Sequence, residues 1–425
     1  MDCPLYQQAL RNPDQPFLES VTESLTYLEA DTLASRYQTQ VHGGQRIATL
    51  LPNSPHWVCF LFACLREQAI LCPLNLRLPE ARIQECCDFL GSLAVSDRQL
   101  GQAEKLLREL PKFGTEHSEN RKVFPDKIAT VLFTSGSSGT PKTVPHSLAN
   151  HLASAKAANQ QAPLDLGDRW LCPLPLYHVG GLAIVFRCVL AGATVVFPEA
   201  EASLSQSIEN QRPTHLSLVP TQLFRLLRER PPTGLKRILL GGAPLPDSLL
   251  ELCRTLGLPL ATSYGMTETA SQIAATPPGE SVVGSGKILS HAEVKISDED
   301  EILIRGESVS AKHLQADGWL HSGDKGRLED GILFVEGRLD RQFISGGENI
   351  QPEQIETALM NLKGITQAVV IPVEDKDFGH RPKAFVDVDW KSEWELELRK
   401  TLPGYMIPIA YEKISESIGL KPKLM

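Results

Sequence analysis

A glycine- and hydroxyl-rich segment, residues 134–142, carries the strongest chemical signal in the sequence. It reads Thr134-Ser135-Gly136-Ser137-Ser138-Gly139-Thr140-Pro141-Lys142 and directly follows the apolar run 127–133. Glycines let the backbone approach a ligand closely, and exposed N–H groups form an anion-binding concavity. Hydroxyls add donors, and Lys142 adds a positive charge suited to phosphate. The segment predicts a phosphate-binding loop. A flexible linker is the alternative, which the preceding strand and the closing Pro-Lys disfavour.

The loop differs from the Walker A pattern, which places a Gly-Lys-Ser/Thr sequence at the start of a helix. Pro141 occupies the position that the second glycine of that pattern would have relative to Gly136. Proline fixes its own backbone and disfavours helix at the residue before it. The sequence therefore argues against a P-loop kinase or ATPase.

A second polar cluster, residues 263–269, follows the apolar segment 258–261. In it, Tyr264 could stack on a base, Thr267 could donate to a phosphate, and Glu268 could hold Mg²⁺. Magnesium favours one or two carboxylates together with phosphate oxygens and water. Each residue taken alone is more readily explained as structural. Together with the first loop, they predict a nucleotide site.

Two further glycine segments could contact the sugar and base of a nucleotide. Asp324 ends the segment 318–324, and a carboxylate held beyond a glycine turn suits two ribose hydroxyls. The alternative is an ordinary Asp turn, which is common in loops. The segment 241–244 could pass flat backbone beside a purine, and its alternative is a plain strand-to-helix turn.

Three histidines have side chains that could act chemically. His178, in the rigid apolar segment 174–181, could line a substrate pocket, although a lone histidine is more often structural. His146 and His151 are spaced so that they would not share one helix face, so no metal site is predicted for them.

The elements that must position these residues alternate between strands and helices. The run 127–133 predicts a buried strand, and the alternation up to about residue 260 predicts a largely parallel sheet with helices on both faces. Residues 97–121 are more polar and predict surface helix and loop. Predicted strands cover 46–51, 194–197, 215–219 and 237–240, and predicted helices cover 221–229 and a segment capped by Ser54 that runs from Pro55 through Leu65.

The remaining chain predicts two smaller units. Short strands at 301–305 and 332–335, separated by Gly and Asp, predict a small β-rich unit over 281–335. Pro352 opens a predicted helix with Ile355, Leu359 and Leu362 at helical spacing. Strands are predicted at 368–371 and 383–388. The fold class is therefore α/β, with a large N-terminal body and a small α+β C-terminal domain.

Composition excludes several classes of protein. The chain has 425 residues and a net charge of −9. A net negative charge is unfavourable for binding nucleic acid. The longest apolar runs, of about nine residues, are too short to span a bilayer. Nine cysteines are scattered through mostly apolar surroundings, and the N-terminus lacks the pattern of a secretory signal. We expect buried free thiols in a cytoplasmic protein with neither a nucleic-acid partner nor integral membrane association.

Taken together, the ordered segments resemble the adenylate-forming superfamily, which includes acyl-CoA synthetases. The resemblance covers nearly the whole chain. It rests on the loop 134–142, the histidine-bearing segment 174–181, Tyr-Gly-x-Thr-Glu at 264–268, Gly-Asp at 323–324 with Ser322 where threonine is commoner, Gly-Arg-x-Asp at 337–340, and the segment 344–350. It implies an ATP- and acid-binding body, residues 1–339, and a mobile C-terminal lid domain, residues 340–425, with its hinge at Asp340.

Within the superfamily, the chain resembles the 2-succinylbenzoate–CoA ligases in its short length and in segments 217–227 and 373–382. This implies that ATP and a small acid form an acyl-adenylate, which coenzyme A then converts to a thioester in menaquinone or phylloquinone biosynthesis. The alternatives are another small-acid or fatty acyl-CoA ligase, an enzyme that loads a carrier protein, and a non-catalytic nucleotide-binding homologue. The sequence leaves the oligomeric state open, a homo-oligomer included.

The resemblance also implies roles for individual residues. Lys142 and the loop hydroxyls would hold the β- and γ-phosphates, Thr267 the α-phosphate, and Glu268 the Mg²⁺ ion. Lys421, with Lys423 as the alternative, would bridge the substrate carboxylate and the ribose–phosphate region. The residues expected to contact nucleotide or coenzyme A are Thr134, Ser135, Gly136, Ser137, Ser138, Gly139, Thr140, Gly242, Ala243, Tyr264, Asp324, Arg338, Gly346 and Gly347.

The acid itself is expected to contact two residues, His178 and Arg225. 2-Succinylbenzoate carries two carboxylates, of which one reacts. The aromatic carboxylate needs a cationic partner, and the fork of Arg225 suits it. The alternative for Arg225 is a solvated arginine on a helix.

Overall fold

The structure is a computed structural model that describes residues 1–91, 94–95, 119–134, 142–199, 201–346 and 348–414. Most of the predicted surface region 97–121 lies outside these residues. The helices of the described part are α1 Pro4–Arg11, α2 Tyr27–Gln38, α3 Pro55–Glu67, α4 Glu80–Leu90, α5 Leu148–Gln161, α6 Val179–Ala191, α7 Leu204–Gln211, α8 Pro220–Glu229, α9 Asp247–Thr255, α10 Pro352–Met360 and α11 Glu393–Thr401.

Strands make up the rest of the regular structure. In the N-terminal half they are β1 Pro16–Glu19, β2 Ser24–Thr26, β3 Arg46–Thr49, β4 Ile70–Pro73, β5 Ala94–Val95, β6 Ile128–Thr134, β7 Lys142–Ser147, β8 Arg169–Leu171, β9 Thr194–Val196, β10 His215–Leu218, β11 Arg237–Leu240 and β12 Leu260–Met266. The others are β13 Ser271–Ala275, β14 Lys287–Ile288, β15 Ala292–Ile296, β16 Glu301–Gly306, β17 Leu320–Glu329, β18 Ile332–Arg338, β19 Phe343–Ser345, β20 Glu348–Ile350, β21 Ala368–Asp375, β22 Gly379–Val386 and β23 Ala410–Lys413.

The largest sheet has 13 strands in the order β15-β16-β17-β18-β14-β13-β12-β11-β10-β8-β9-β1-β2. Strands β12, β11, β10, β8 and β9 are parallel, which confirms the parallel sheet predicted before residue 260. Strand β13 pairs antiparallel with β12, and the strands of the β-rich unit continue from it. That unit is therefore an extension of the same hydrogen-bonded sheet.

A second sheet of five strands has the order β5-β3-β4-β6-β7. The predicted strand 127–133 appears as β6, which pairs parallel with β4 and antiparallel with β7. It therefore belongs to this sheet and not to the large parallel one. Its hairpin partner β7 was not predicted. The two strands flank residues 135–141, which lie outside the described residues.

Buried apolar side chains and local caps explain why these elements form. The main core contains Trp57, Phe62 and Phe186, all buried. Ser54 caps α3 as predicted, because its hydroxyl accepts a hydrogen bond from the Trp57 amide at 3.2 Å.

All nine cysteines are buried free thiols, which confirms the prediction of buried thiols. No helix in the described part of the chain is long and apolar enough to cross a membrane.

The C-terminal residues pack around a core of their own. Its buried members lie between Phe343 and Ile407, and they include Ile355, Leu359 and Trp394. Strands β21, β22 and β23 form a three-stranded sheet here, and β19 pairs with β20. The helix that Pro352 opens ends at Met360, so Leu362 packs against this core from beyond the helix.

One buried ion-pair network ties the N-terminal helices together. Arg66 on α3 is fully buried and pairs with Asp31 on α2, and Arg121 donates to the same carboxylate at 3.0 Å. Ser35 and Gln38 accept further hydrogen bonds from Arg66 at 3.1 and 3.2 Å. A buried guanidinium without a counter-charge is strongly destabilising, so Asp31 is needed for this packing.

Replacing Asp31 with asparagine should therefore destabilise the N-terminal body by about 3–5 kcal/mol, because Arg66 would remain buried without its counter-charge. Urea unfolding followed by tryptophan fluorescence measures this loss. Asp2→Asn is the matched control, since Asp2 pairs with Lys122 at the surface, where such pairs contribute little. Equal effects of the two substitutions would contradict the interpretation.

Candidate active site

The predicted site segments meet at one edge of the large sheet. Strands β8, β10, β11 and β12 lie side by side and parallel, so their carboxyl ends share that edge. His178 follows β8, Arg225 lies on the helix after β10, residues 241–243 follow β11, and Tyr264 lies near the end of β12. Ligands of open α/β sheets bind outside the carboxyl ends of the strands. Segments far apart in sequence thus form one candidate cleft.

The glycine pair after β11 lies flat against the neighbouring strand. A Cβ atom on Gly241 would lie 2.9 Å from the Ser263 hydroxyl oxygen, which itself donates to the Leu240 carbonyl at 2.9 Å. Gly242 has a φ of +79°, which other residues rarely adopt. Gly242 and Ala243 are exposed. The segment therefore presents bare backbone to the cleft, as a contact with a flat base would require.

Asp324 is held between two side chains from different strands. The Tyr264 hydroxyl donates to one carboxylate oxygen at 2.5 Å, and Arg338 donates to the other at 3.1 Å. Arg338 and Asp324 face each other across the antiparallel pair β17–β18. Before Asp324, Gly323 has a φ of +70° and donates to Glu301 at 2.8 Å. This arrangement fixes the carboxylate at the rim of the cleft.

Burial and charge shift the pKa values of this cluster. Burial raises the pKa of Asp324, and the hydrogen bonds from Tyr264 and Arg338 counteract part of that rise. The pKa of Tyr264 is raised by its own burial and by the Asp324 charge, so its hydroxyl stays protonated as a donor. Although burial opposes its charge, Arg338 has a raised pKa because Asp340 and Asp324 stabilise the cation.

The Thr267–Thr269 turn continues from β12 and carries Thr267 and Glu268. Ser310 donates its amide to the Glu268 carbonyl at 2.8 Å, which fixes the backbone. The Glu268 carboxylate is half-buried and forms no hydrogen bond or ion pair with a described residue. A single carboxylate without an ion-pair partner among the described residues fits Mg²⁺, which can take its other ligands from phosphate and water.

His146 supports this turn, although its role was not predicted. Its Nε2 donates to the Thr267 carbonyl at 2.6 Å, and burial lowers the pKa of His146 to about 4. His151, whose ring centre is 5.0 Å away, is also buried and has a lowered pKa. Both rings are therefore neutral near pH 7. Local sequence gave no signal for this contact, which joins positions 121 residues apart.

The phosphate loop is only partly described, and the C-terminal lysine lies outside the described residues. Thr134 and Lys142 face each other across the β6–β7 hairpin, and Lys142 is exposed. The Lys312 ammonium donates to the hydroxyl of the next residue, Thr143, at 3.5 Å and adds a second cation, which was not predicted. The predicted residues Ser135, Gly136, Ser137, Ser138, Gly139, Thr140, Gly347 and Lys421, and the alternative Lys423, lie outside the described residues.

The junction with the C-terminal residues lies beside Asp324. Arg338 bonds Asp340 at 3.1 and 3.3 Å, and Asp340 lies in the short turn Leu339–Arg341. Gly346 has a φ of +58°, and its Cβ would lie 2.6 Å from the Phe378 ring. Gly346 therefore packs its backbone closely against Phe378. The Arg338 guanidinium thus contacts both Asp324, the predicted ribose ligand, and Asp340, the predicted hinge.

His178 and Arg225 follow the neighbouring strands β8 and β10 of the large sheet. His178 precedes α6 and is exposed, and partial burial of its ring together with the charge of Arg77 lowers its pKa. Arg225 is exposed on α8 and forms no ion pair with a described residue. Its guanidinium is therefore available to a ligand carboxylate. The effect of Arg77 on His178 was not predicted from the sequence.

Comparisons with known proteins show the family of this chain. The sequence profile described as AMP-binding enzyme matches residues 5–312. The 2-succinylbenzoate–CoA ligase of Escherichia coli (strain K12) is 34% identical over 381 residues, covering 86% of this chain and 83% of that protein.

Two solved structures of o-succinylbenzoate CoA synthetase (MenE) from Bacillus subtilis are similar over most of their length. One, in complex with the acyl-adenylate intermediate OSB-AMP, has a TM-score of 0.88 and 31% identity, covering 97% of this chain and 94% of that chain. The other, in complex with ATP and a magnesium ion, has a TM-score of 0.85 and 30% identity, covering 97% and 96%.

The chain therefore belongs to the AMP-binding enzyme family, whose fold it shares. Among members of that family, it is similar to the 2-succinylbenzoate–CoA ligases of bacteria, both in sequence and in structure.

Gly265 tests the role of the β12–β13 bulge in shaping the site. A Cβ on Gly265 would lie 1.9 Å from the Ser271 carbonyl oxygen, so Gly265→Ala must displace the bulge between Tyr264 and the Thr267 turn. We expect a loss of about 1–3 kcal/mol in stability from overpacking, seen as a lower melting temperature. Gly404→Ala is the control, since it has open space around it. An unchanged melting temperature for Gly265→Ala would show that the bulge adapts.

Proposed function

We propose that the chain is an ATP-dependent 2-succinylbenzoate–CoA ligase, an AMP-forming acid–thiol ligase of menaquinone or phylloquinone biosynthesis. The observation that carries the proposal is the cluster of Tyr264, Asp324 and Arg338, which lies in the same cleft as the Glu268 turn. That arrangement suits an adenosine phosphate. Similarity to named 2-succinylbenzoate–CoA ligases over most of the chain supports the choice of acid.

In the first half of the proposed reaction, a carboxylate oxygen of the acid attacks the α-phosphorus of ATP. The bond from that phosphorus to the bridging oxygen of pyrophosphate breaks, and pyrophosphate leaves with the electron pair. Both reactants are anionic and the nucleophile is weak, so positioning and charge neutralisation must lower the barrier. The product is an acyl-adenylate.

The chain's own residues would supply that neutralisation. Lys142 and the hydroxyls of the loop 134–140 would hold the β- and γ-phosphates, and Thr267 would donate to the α-phosphate. Glu268 would hold Mg²⁺, which supplies charge to the phosphate oxygens when bound. Lys421 would bridge the acid carboxylate and the ribose–phosphate region.

The nucleoside would lie between the glycine backbone after β11 and the Asp324 cluster. Gly242 and Ala243 would face the purine and Tyr264 would stack beside it. Asp324 would accept from both ribose hydroxyls while Arg338 keeps the carboxylate charged. Because the Tyr264 hydroxyl already donates to Asp324, ring position and carboxylate orientation would be set together.

In the second half, the thiol sulfur of coenzyme A attacks the acyl carbon and the thiol proton is released to solvent. The bond from the acyl carbon to the phosphate oxygen breaks, and AMP leaves with the electron pair. We propose that residues 340–425 form a lid domain that rotates about Asp340 between the two halves. The separate core of residues 343–407 supports a unit that moves as one body. Gly346 and Gly347 would then let the pantetheine arm pass close to the backbone.

The second carboxylate of the acid would pair with Arg225, with His178 lining the same pocket. Arg225 lies on the helix that follows β10 and has no ion-pair partner among the described residues. Nine buried free thiols and the charge of the chain suit a cytosolic enzyme, which forms part of the proposal.

The experiment follows AMP formation with coenzyme A over a panel of acids, including benzoate, a fatty acid and 2-succinylbenzoate. We expect 2-succinylbenzoate to give the highest kcat/KM. Arg225→Ala should raise the KM for it by about 10–100-fold, since a charge-assisted hydrogen bond contributes about 1.5–3 kcal/mol. With 4-oxo-4-phenylbutanoate, which lacks the aromatic carboxylate, wild type and Arg225→Ala should perform alike.

Arg228→Ala is the control, because Arg228 lies on the same helix but rests over the Phe224 ring. An equal loss of activity with both acids would show that Arg225 does not recognise the aromatic carboxylate. The proposal of a ligase would not be affected by that result. Activity restricted to another acid would overturn the choice of substrate. No adenylation of any acid would favour a nucleotide-binding protein.

A further inference from the structure

A second lysine lies beside the strand that leaves the phosphate loop. The short turn Ala311–His313 carries Lys312, whose ammonium donates to the Thr143 hydroxyl at 3.5 Å. Thr143 directly follows Lys142, to which the proposed reaction gives the β- and γ-phosphates. That reaction, on which this inference rests, gives Lys312 no role. The turn therefore brings a further positive charge to the start of β7.

Ser310, directly before the turn, fixes it to both parts of the phosphate site. The Ser310 hydroxyl donates to the Pro145 carbonyl of β7 at 2.6 Å, and the Ser310 amide donates to the Glu268 carbonyl at 2.8 Å. Ser310 is 1% exposed, so these bonds are shielded from water. Asn150 on α5 holds the preceding residue through the Val309 carbonyl at 3.2 Å. The turn is thus held between β7 and the turn that carries Glu268.

The Lys312 ammonium is available to a ligand. Its side chain is exposed and forms no ion pair with a described residue. At 3.5 Å, its contact with the Thr143 hydroxyl is longer than an ordinary hydrogen bond. A lysine ammonium has three N–H donors, of which this contact uses one. Binding to phosphate oxygens would therefore break no ion pair within the described part of the chain.

The charges next to the turn suit a triphosphate and its metal. Burial lowers the pKa of His313, the Glu268 charge opposes that change, and the Lys312 charge adds to it. Both charges therefore lie close to His313, which is mainly neutral near pH 7 and leaves the Glu268 carboxylate without a cation. Lysine suits phosphate oxygens, and a lone carboxylate suits Mg²⁺. The two charges are thus complementary to the two parts of a magnesium–phosphate ligand.

We propose that Lys312 binds the terminal phosphates of ATP beside Lys142. In the first half of the reaction, the bond from the acid oxygen to the α-phosphorus forms while the bond to the bridging oxygen breaks. Negative charge therefore grows on the leaving pyrophosphate, and a cation held there stabilises the transition state. Pyrophosphate has left before coenzyme A reacts, so Lys312 acts in the first half only.

Isothermal titration calorimetry with MgATP and with AMP tests this assignment in the absence of any acid. Lys312→Gln should weaken MgATP binding about tenfold, because a charge-assisted hydrogen bond is lost. AMP lacks the β- and γ-phosphates and should bind this variant as tightly as wild type. Lys312→Arg keeps the charge and should bind MgATP nearly as wild type does.

Lys156→Gln is the matched control, because Lys156 is exposed on α5 and forms no ion pair with a described residue. It removes the same charge and should leave the affinity for both nucleotides unchanged. Unchanged MgATP affinity in Lys312→Gln would overturn the proposal. An equal loss of affinity for AMP would also overturn it, because Lys312 would then act on the shape of the cleft.

The two halves of the reaction provide a second readout. With 2-succinylbenzoate, Lys312→Gln should raise the KM for ATP and slow pyrophosphate release, whereas preformed acyl-adenylate and coenzyme A should react as fast as with wild type. An equal loss in both halves would contradict a role in pyrophosphate binding. Because the calorimetry uses no acid, a wrong choice of acid would not change its outcome, and failure of the Lys312 assignment would not change the choice of acid.

Discussion

The carboxylate of Asp324 is the group on which the arrangement of the site depends. It accepts hydrogen bonds from Tyr264 on β12 and from Arg338 on β18, so it joins the strand that ends at the cleft to the strand that precedes Asp340. Arg338 also bonds Asp340 in the following turn. One ionic cluster therefore connects the proposed ribose ligand to the proposed hinge. Any displacement of Asp324 would change both.

Two buried polar side chains, those of His146 and Arg66, are respectively kept neutral and paired with an opposite charge. Burial keeps the His146 ring neutral, and its Nε2–H donates a hydrogen bond to the Thr267 carbonyl. Asp31 neutralises Arg66. Buried charge must be compensated wherever it occurs.

Much of the fold and of the site could be predicted from the sequence, because the signals were local. The strand at 237–240 and the glycines after it, or the strand before Lys142, are visible in a few adjacent residues. Contacts between distant positions were not visible, as with His146 and Thr267, or Ser310 and the Glu268 carbonyl. The continuity of β13 with β12 and the end of α10 before Leu362 likewise depend on tertiary packing.

The account predicts that Asp324 acts on the two ribose hydroxyls and on nothing else in the nucleotide. Isothermal titration calorimetry with AMP and with 2′,3′-dideoxy-AMP tests this directly, using wild type and Asp324→Asn. AMP should bind the variant about tenfold or more weakly, since bonds to a charged group are lost. The dideoxy compound should lose much less affinity than AMP, because it has no ribose hydroxyls for Asp324 to bind. An equal loss of affinity for both nucleotides would contradict the account, because Asp324 would then act only by holding the cleft in shape and not by binding ribose.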